Sequence, residues 1–218
     1  MNFRTQLAGL ATAALLLGSA TGAQAAAAIF NFTEGGAAAG FAPASTYGTV
    51  TVTENSGGLD FSFLPTSPLR IHDGNSNHNA FGFDLDGVIG VAVSNLTAGF
   101  VFLNGAISSP PFGSYGYGID CTSACSNGYD GGFAGPLNFR VTATNAINLA
   151  SLTFNSVGGK NVYFTTDLVN AAAVTGNLGA TLTPGGAIPE PASWGLMIIG
   201  FGGLGATLRF NRRRLALG

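Results

Sequence analysis

Charge is what this chain of 218 residues has least of: 8 lysines and arginines and 10 aspartates and glutamates make up 8 % of it, where a soluble domain carries about 25 %. That scarcity excludes a charged disordered tail, a coiled coil and a nucleic-acid-binding surface, each of which needs a charge density absent here. Cysteine and histidine contribute two residues each, a thin inventory for metal or acid–base chemistry. Helical periodicity is missing too, since outside the two termini no run of ten or more residues keeps it. What the chain does have is 34 glycines, 17 phenylalanines and 46 % hydrophobic residues, enough apolar material for a core.

The net charge of −2 is unevenly spread. Five of the eight basic residues lie near the ends: Arg4, Arg209, Arg212, Arg213 and Arg214. Residues 26–188 hold three basic residues (Arg70, Arg140, Lys160) against nine acidic ones. The middle is therefore acidic, which argues against phosphate-rich partners.

At the N-terminus, Arg4 precedes an apolar stretch over 7–17 and small residues ending in Ala23-Gln24-Ala25. This is the plan of a secretory signal peptide, with Ala23 and Ala25 filling the −3 and −1 pockets of signal peptidase. Cleavage is expected after Ala25, within a residue or two, and the apolar stretch is too short to span a bilayer comfortably. Delivery is then to an oxidising compartment.

The C-terminus reads Pro189-Glu190-Pro191-Ala192-Ser193-Trp194, then an uncharged run over 195–208, then Arg209-Phe210-Asn211-Arg212-Arg213-Arg214. Two prolines set an extended break and a tryptophan marks an interface. As a helix, 194–208 would be roughly 22 Å long against a hydrocarbon thickness of about 30 Å. Snorkelling arginines and local thinning cover that mismatch. The arginine cluster keeps its end in the cytoplasm. The spacing Gly200-x-Gly202-x-x-Gly205 matches a dinucleotide fingerprint but lacks its strand, helix and acidic partner, so these glycines are expected to serve close helix packing in the membrane.

This tail resembles the PEP-CTERM sorting signal, in the variant Pro-Glu-Pro-x-x-Trp-Ala followed by a Gly-rich apolar helix and arginines. Gly195 stands where the variant has Ala, and Phe210-Asn211 interrupts the arginines. The resemblance implies a Gram-negative exported precursor, held in the inner membrane by the tail and processed by an exosortase, an integral-membrane transpeptidase. It further implies delivery to the cell surface, often alongside exopolysaccharide. Pro189, Glu190, Pro191 and Trp194 would be the recognition motif, and Arg209, Arg212, Arg213 and Arg214 the basic stop. The division expected is a signal peptide over 1–25, a body over 26–188 and a sorting tail over 189–218.

The body is long enough for one domain. Short alternating stretches punctuated by Gly, Asn, Ser and Pro predict strands over 49–53, 59–63, 81–85, 88–93, 100–103, 115–119, 137–143, 152–154 and 162–165. Such spacing predicts an all-β, antiparallel, jelly-roll-like β-sandwich, flanked by an N-terminal signal helix and a short C-terminal transmembrane helix. Within 81–85 a period of two places Phe81, Phe83 and Leu85 on one buried face and turns Asp84 away. The phenylalanines are expected to fill the core. Residues 162–167 and 175–180 also resemble the closing segment of bodies that precede such tails.

Few groups could carry chemistry. Cys121 and Cys125 enclose Thr-Ser-Ala, and a disulfide is the first reading, contributing about 2 kcal/mol if a tight turn joins them; free thiols or a metal site with His72 and His78 are the alternatives. Asp73, Asn75, Asn77 and Asp84 fall at positions 1, 3, 5 and 12 of a calcium loop, but His78 replaces the required glycine, and an Asn-rich turn has the same composition. Asp84 and Asp86 form a carboxylate pair without evidence of a sugar-sized cleft. No Gly-x-Ser-x-Gly elbow is present. The row Thr49, Thr51, Thr53 resembles one row of an ice-binding face, and β propensity explains it as well. The expectation is an exported surface or matrix protein with no catalytic activity, metal or cofactor, the alternative being a module that binds carbohydrate, calcium or ice.

Overall fold

In the computed structural model the described residues are 25–35, 41, 45–72, 79–126 and 128–184. The helices expected at the two ends lie outside them. Among the described residues thirteen strands form: β1 (Ala27–Gly35), β2 (Gly48–Asn55), β3 (Gly58–Pro65), β4 (Arg70–Ile71), β5 (Phe81–Phe83), β6 (Ala92–Ser94), β7 (Phe100–Ser108), β8 (Ser114–Cys121), β9 (Leu137–Thr142), β10 (Asn155–Val157), β11 (Lys160–Val162), β12 (Phe164–Val169) and β13 (Thr175–Leu182). Eleven join one antiparallel sheet in the order β6-β9-β3-β2-β1-β13-β12-β5-β8-β7, with β4 added on β12, and β10–β11 form a separate hairpin.

The all-β antiparallel class is thus present, with its two layers drawn from a single sheet that curls until it is nearly closed. Phe61 and Phe139 belong to β3 and β9, yet their rings lie 5.5 and 5.6 Å from Phe83 and Phe81 of β5, four or more strands away along the sheet. Most of the phenylalanines line this interior, with Phe32, Phe63, Phe81, Phe83 and Phe164 wholly buried. Alternation gives the curled sheet an apolar inside and a polar outside. In β1 Ala28, Phe30 and Phe32 point inward while Ile29, Asn31 and Thr33 stay partly exposed, and a two-residue period lets one strand serve core and surface at once.

Four sequence expectations shift. Of 88–93 only Ala92 and Val93 are strand, at the start of β6; Gly87 and Gly90 hold left-handed backbone with φ 67° and 63°, and the Ile89 amide donates to the Asn145 side chain at 2.9 Å, so side-chain hydrogen bonds end the ladder. Residues 152–154 follow a short 3-10 turn, Leu149–Ser151, capped by Asn148, and supply only an isolated bridge from Leu152 to Leu85. The stretch 162–165 breaks at Tyr163, and its halves join two different sheets. Leu85 follows β5 rather than extending it and is partly buried against the core.

Four strands are not announced by the sequence: the short β4 and β10, and the long β1 and β13, which pair with each other at the centre of the sheet. Glu54 donates its amide to the Ala26 carbonyl at 2.7 Å, and Thr183 donates to Ile29 at 3.0 Å. Residues near both ends of the main described span are therefore bonded into the sheet's middle.

Candidate functional site

Most sequence-derived site residues fall outside the described residues: Ala23, the loop residues Asp73, Asn75, Asn77 and His78, and the tail residues Pro189, Glu190, Pro191, Trp194, Arg209, Arg212, Arg213 and Arg214. Ala25 is described and stands next to the bonded Ala26. Cys121 and Cys125 are joined as a disulfide, their Cα atoms 5.7 Å apart. The turn between them wraps the Gly99 carbonyl, which accepts from the amides of Thr122, Ser123 and Ala124. Among the described residues no three His, Cys, Asp or Glu side chains cluster where they could hold a metal ion, and no helix is long and apolar enough to cross a membrane.

His72, weighed with His78 as a metal ligand, does not stand open to solvent. It is buried directly after β4, with Nδ1 3.0 Å from Asp167 Oδ2 and with Nε2 accepting from the Gly128 amide at 3.2 Å. Because Nε2 accepts, the ring proton sits on Nδ1 and is donated to the Asp167 carboxylate. Both ring nitrogens are committed to internal bonds, an arrangement that fixes three segments together and leaves no lone pair for a substrate.

The carboxylates of Asp84 and Asp86 engage different partners. Asp86 is exposed and bonds the Gly87 amide at 2.9 Å. Asp84 is half-buried, and Oδ1 accepts from the Gly116 amide at 3.3 Å. Burial raises its pKa above the ordinary 3.8, opposed in part by the Gly116 and Leu85 amides. Nearby, burial also raises the Tyr115 phenol, which remains a neutral donor to the Val162 carbonyl at 3.3 Å.

A cleft of about 570 Å³ opens where β1, β13 and the β10–β11 hairpin meet, within the ~300–1,000 Å³ usual for ligand sites. Three local features build it. Gly158 and Gly159, with φ 57° and 77°, form the two-residue hairpin turn, which requires left-handed backbone at both positions. Gly179 of β13 has no side chain, and a β-carbon there would lie 2.8 Å from Val162 and 2.9 Å from Phe112, so the hairpin settles directly on the sheet. A bulge shifts the β1 register between Phe32 and Glu34. Neighbours on a regular strand point to opposite faces, but a bulge re-aims them, and here Thr33 and Glu34 both line the cleft.

Across the cleft Lys160 Nζ donates to Glu34 Oε1 at 2.7 Å, and Thr33 Oγ1 donates to the same oxygen at 3.2 Å. Asn31 lies on the floor with Oδ1 accepting from Thr49 Oγ1 at 3.1 Å, so its amide nitrogen is the end left to donate. Tyr163 lines one side, its ring held 5.0 Å from Phe30 and 5.2 Å from Phe154. None of these residues stood out in the sequence as a site, though Gly158-Gly159 between apolar stretches is a readable hairpin signal.

Comparison with known families places one match, over residues 187–214, to the PEP-CTERM protein-sorting motif. The chain carries a PEP-CTERM sorting signal. No curated protein and no solved structure matches it. A PEP-CTERM signal directs export and sorting through the C-terminus and implies processing by an exosortase-type system. Here the match begins three residues beyond Pro184, the last described residue before it.

Proposed function

We propose that this chain is a non-enzymatic surface or matrix protein, exported after signal-peptidase cleavage near Ala25 and sorted through its C-terminal PEP-CTERM signal. In this reading the Pro-Glu-Pro-x-x-Trp variant of the signal (Pro189, Glu190, Pro191, Trp194) is what an exosortase recognises. The run over 194–208 holds the precursor in the inner membrane, and Arg209, Arg212, Arg213 and Arg214 keep its end inside. Removal of the tail releases the β-body to the cell surface, in company with exopolysaccharide. The observation that carries this reading is the family match over 187–214. The commitment of both His72 ring nitrogens supports a structural rather than a catalytic body.

Mass spectrometry of the exported protein tests it. The expected product starts near Ala26 and has lost the residues after the Pro-Glu-Pro motif. A mature product still ending at Gly218 overturns the processing step, and a precursor that stays processed when Glu190→Ala and Trp194→Ala are combined overturns the assigned recognition motif.

A further inference from the structure

We propose that the cleft between β1, β13 and the β10–β11 hairpin binds a neutral carbohydrate chain. A neutral ligand follows from the charges. Among the described residues that line the cleft, the one cation, Lys160, is bonded to the one anion, Glu34. A phosphate or polyanion would have to break that pair, and a cationic peptide would compete with the lysine for the carboxylate. What remains for a ligand is uncharged: the amides of Asn31 and Asn161 and the hydroxyls of Thr33, Thr181 and Tyr163.

A sugar presents this chemistry in reverse, with hydroxyls that both donate and accept on its rim and C–H groups on its ring face. Asn31 offers donors whose direction the Thr49 bond fixes. Tyr163 supplies an aromatic surface with a polar tip, a combination suited to a ligand that is apolar on one side and wet on the other. Its packing against Phe30 and Phe154 fixes the ring before any ligand arrives, and preorganisation of this kind reduces the entropy cost of binding. The open shape suits an extended chain passing through rather than a small molecule enclosed.

Another groove among the described residues lacks an aromatic side chain placed like Tyr163. It is smaller, about 360 Å³, and its lining includes Thr51, Thr53, Asp60, Ser62 and Asn138. It has the hydroxyls and amides of the first, but the phenylalanines on its floor, Phe61 and Phe139, are buried core residues. It serves as the internal control.

The test is calorimetric titration of the purified full chain in a zwitterionic, sugar-free detergent with cellohexaose, xylohexaose and mannohexaose as neutral probes and hexagalacturonate as the charged one. At least one neutral probe is expected to bind, with an affinity unchanged by added salt. Tyr163→Ala should weaken it about tenfold or more, the equivalent of one good contact. Asn161→Ala removes an exposed amide without touching the core and should weaken binding while leaving the melting temperature unchanged, so the proposal does not depend on the stability of the Tyr163 variant. Thr51→Ala in the second groove should have no effect. Absence of binding by all three neutral probes at millimolar concentration overturns the proposal, as does tighter binding of hexagalacturonate or binding indifferent to both cleft substitutions. None of these outcomes depends on processing of the tail, so the sorting reading stands or falls separately.

Discussion

One cross-strand row on the outward face runs Thr51, Ser62, Asn138 over β2, β3 and β9; another runs Gly82, Thr165, Gly179 over β5, β12 and β13. The first row stays at the surface, while Thr165 in the second is 1 % exposed and bonded to Ser109 Oγ at 3.0 Å. What separates them is side-chain size. At Gly82 a β-carbon would stand 2.6 Å from Thr165 Oγ1, so the glycines let Phe112, Tyr115 and Val162 form a second small apolar cluster over the strands. Polar groups buried on this half must then be paired, as Thr165–Ser109 and His72–Asp167 are. One half of the sheet faces water, the other carries a lid of its own chain, and the cleft lies on the border between them.

The difference can be broken most severely at Tyr115. Tyr115→Ala empties the second cluster and should lower stability by about 3–5 kcal/mol, the usual range for a buried aromatic, measurable by urea unfolding. Gly179→Val should cost about 1–3 kcal/mol by forcing Val162 and Phe112 off the strand, and it should also weaken glycan binding in the cleft. On the open half, Arg140 bonds both Asp60 oxygens at 2.9 and 3.0 Å from a partly exposed position, and Arg140→Ala should cost only about 0.2–1 kcal/mol. Thr51→Ala should stay within about 0.5 kcal/mol. A loss there as large as that of Gly179→Val would erase the distinction between the two halves.

Acid titration sharpens the same contrast. The raised pKa of Asp84 means that the folded chain holds this proton to higher pH than the unfolded chain does. In that interval the folded state binds more protons, so stability falls as pH rises above 3.8 and the loss persists at neutral pH. Asp84→Asn keeps an acceptor for Gly116 and removes the ionisation, and should raise the melting temperature at pH 7 while leaving it nearly unchanged at pH 3. An equal rise at both values would show that charge is not the cause.

Strands such as β2 and β3 were readable because Thr49 to Thr53 and Leu59 to Phe63 alternate cleanly, and alternation is a local property. β1 was hidden by the alanines before it, which read as the end of a signal peptide, although Ile29-Phe30-Asn31-Phe32-Thr33 alternates. β13 was hidden by Gly176 and Gly179, poor strand formers that the sheet accepts because their neighbours fill the space. His72 shared a polar loop with His78 in sequence, and only the pairing of β4 with β12 brought it to Asp167. The cleft was not legible in any single segment, since it is assembled from residues near positions 31, 160 and 182.

By itself the sequence determined the all-β class, the acidic and charge-poor body, and the sorting signal at the end, because each rests on composition or on a short contiguous pattern. The tertiary structure alone decided that β1 meets β13, that half of the outer face is covered, and that a polar cleft opens beside Pro184. Those outcomes depend on pairings across more than a hundred residues, set by which faces can be buried together, and no local periodicity encodes them.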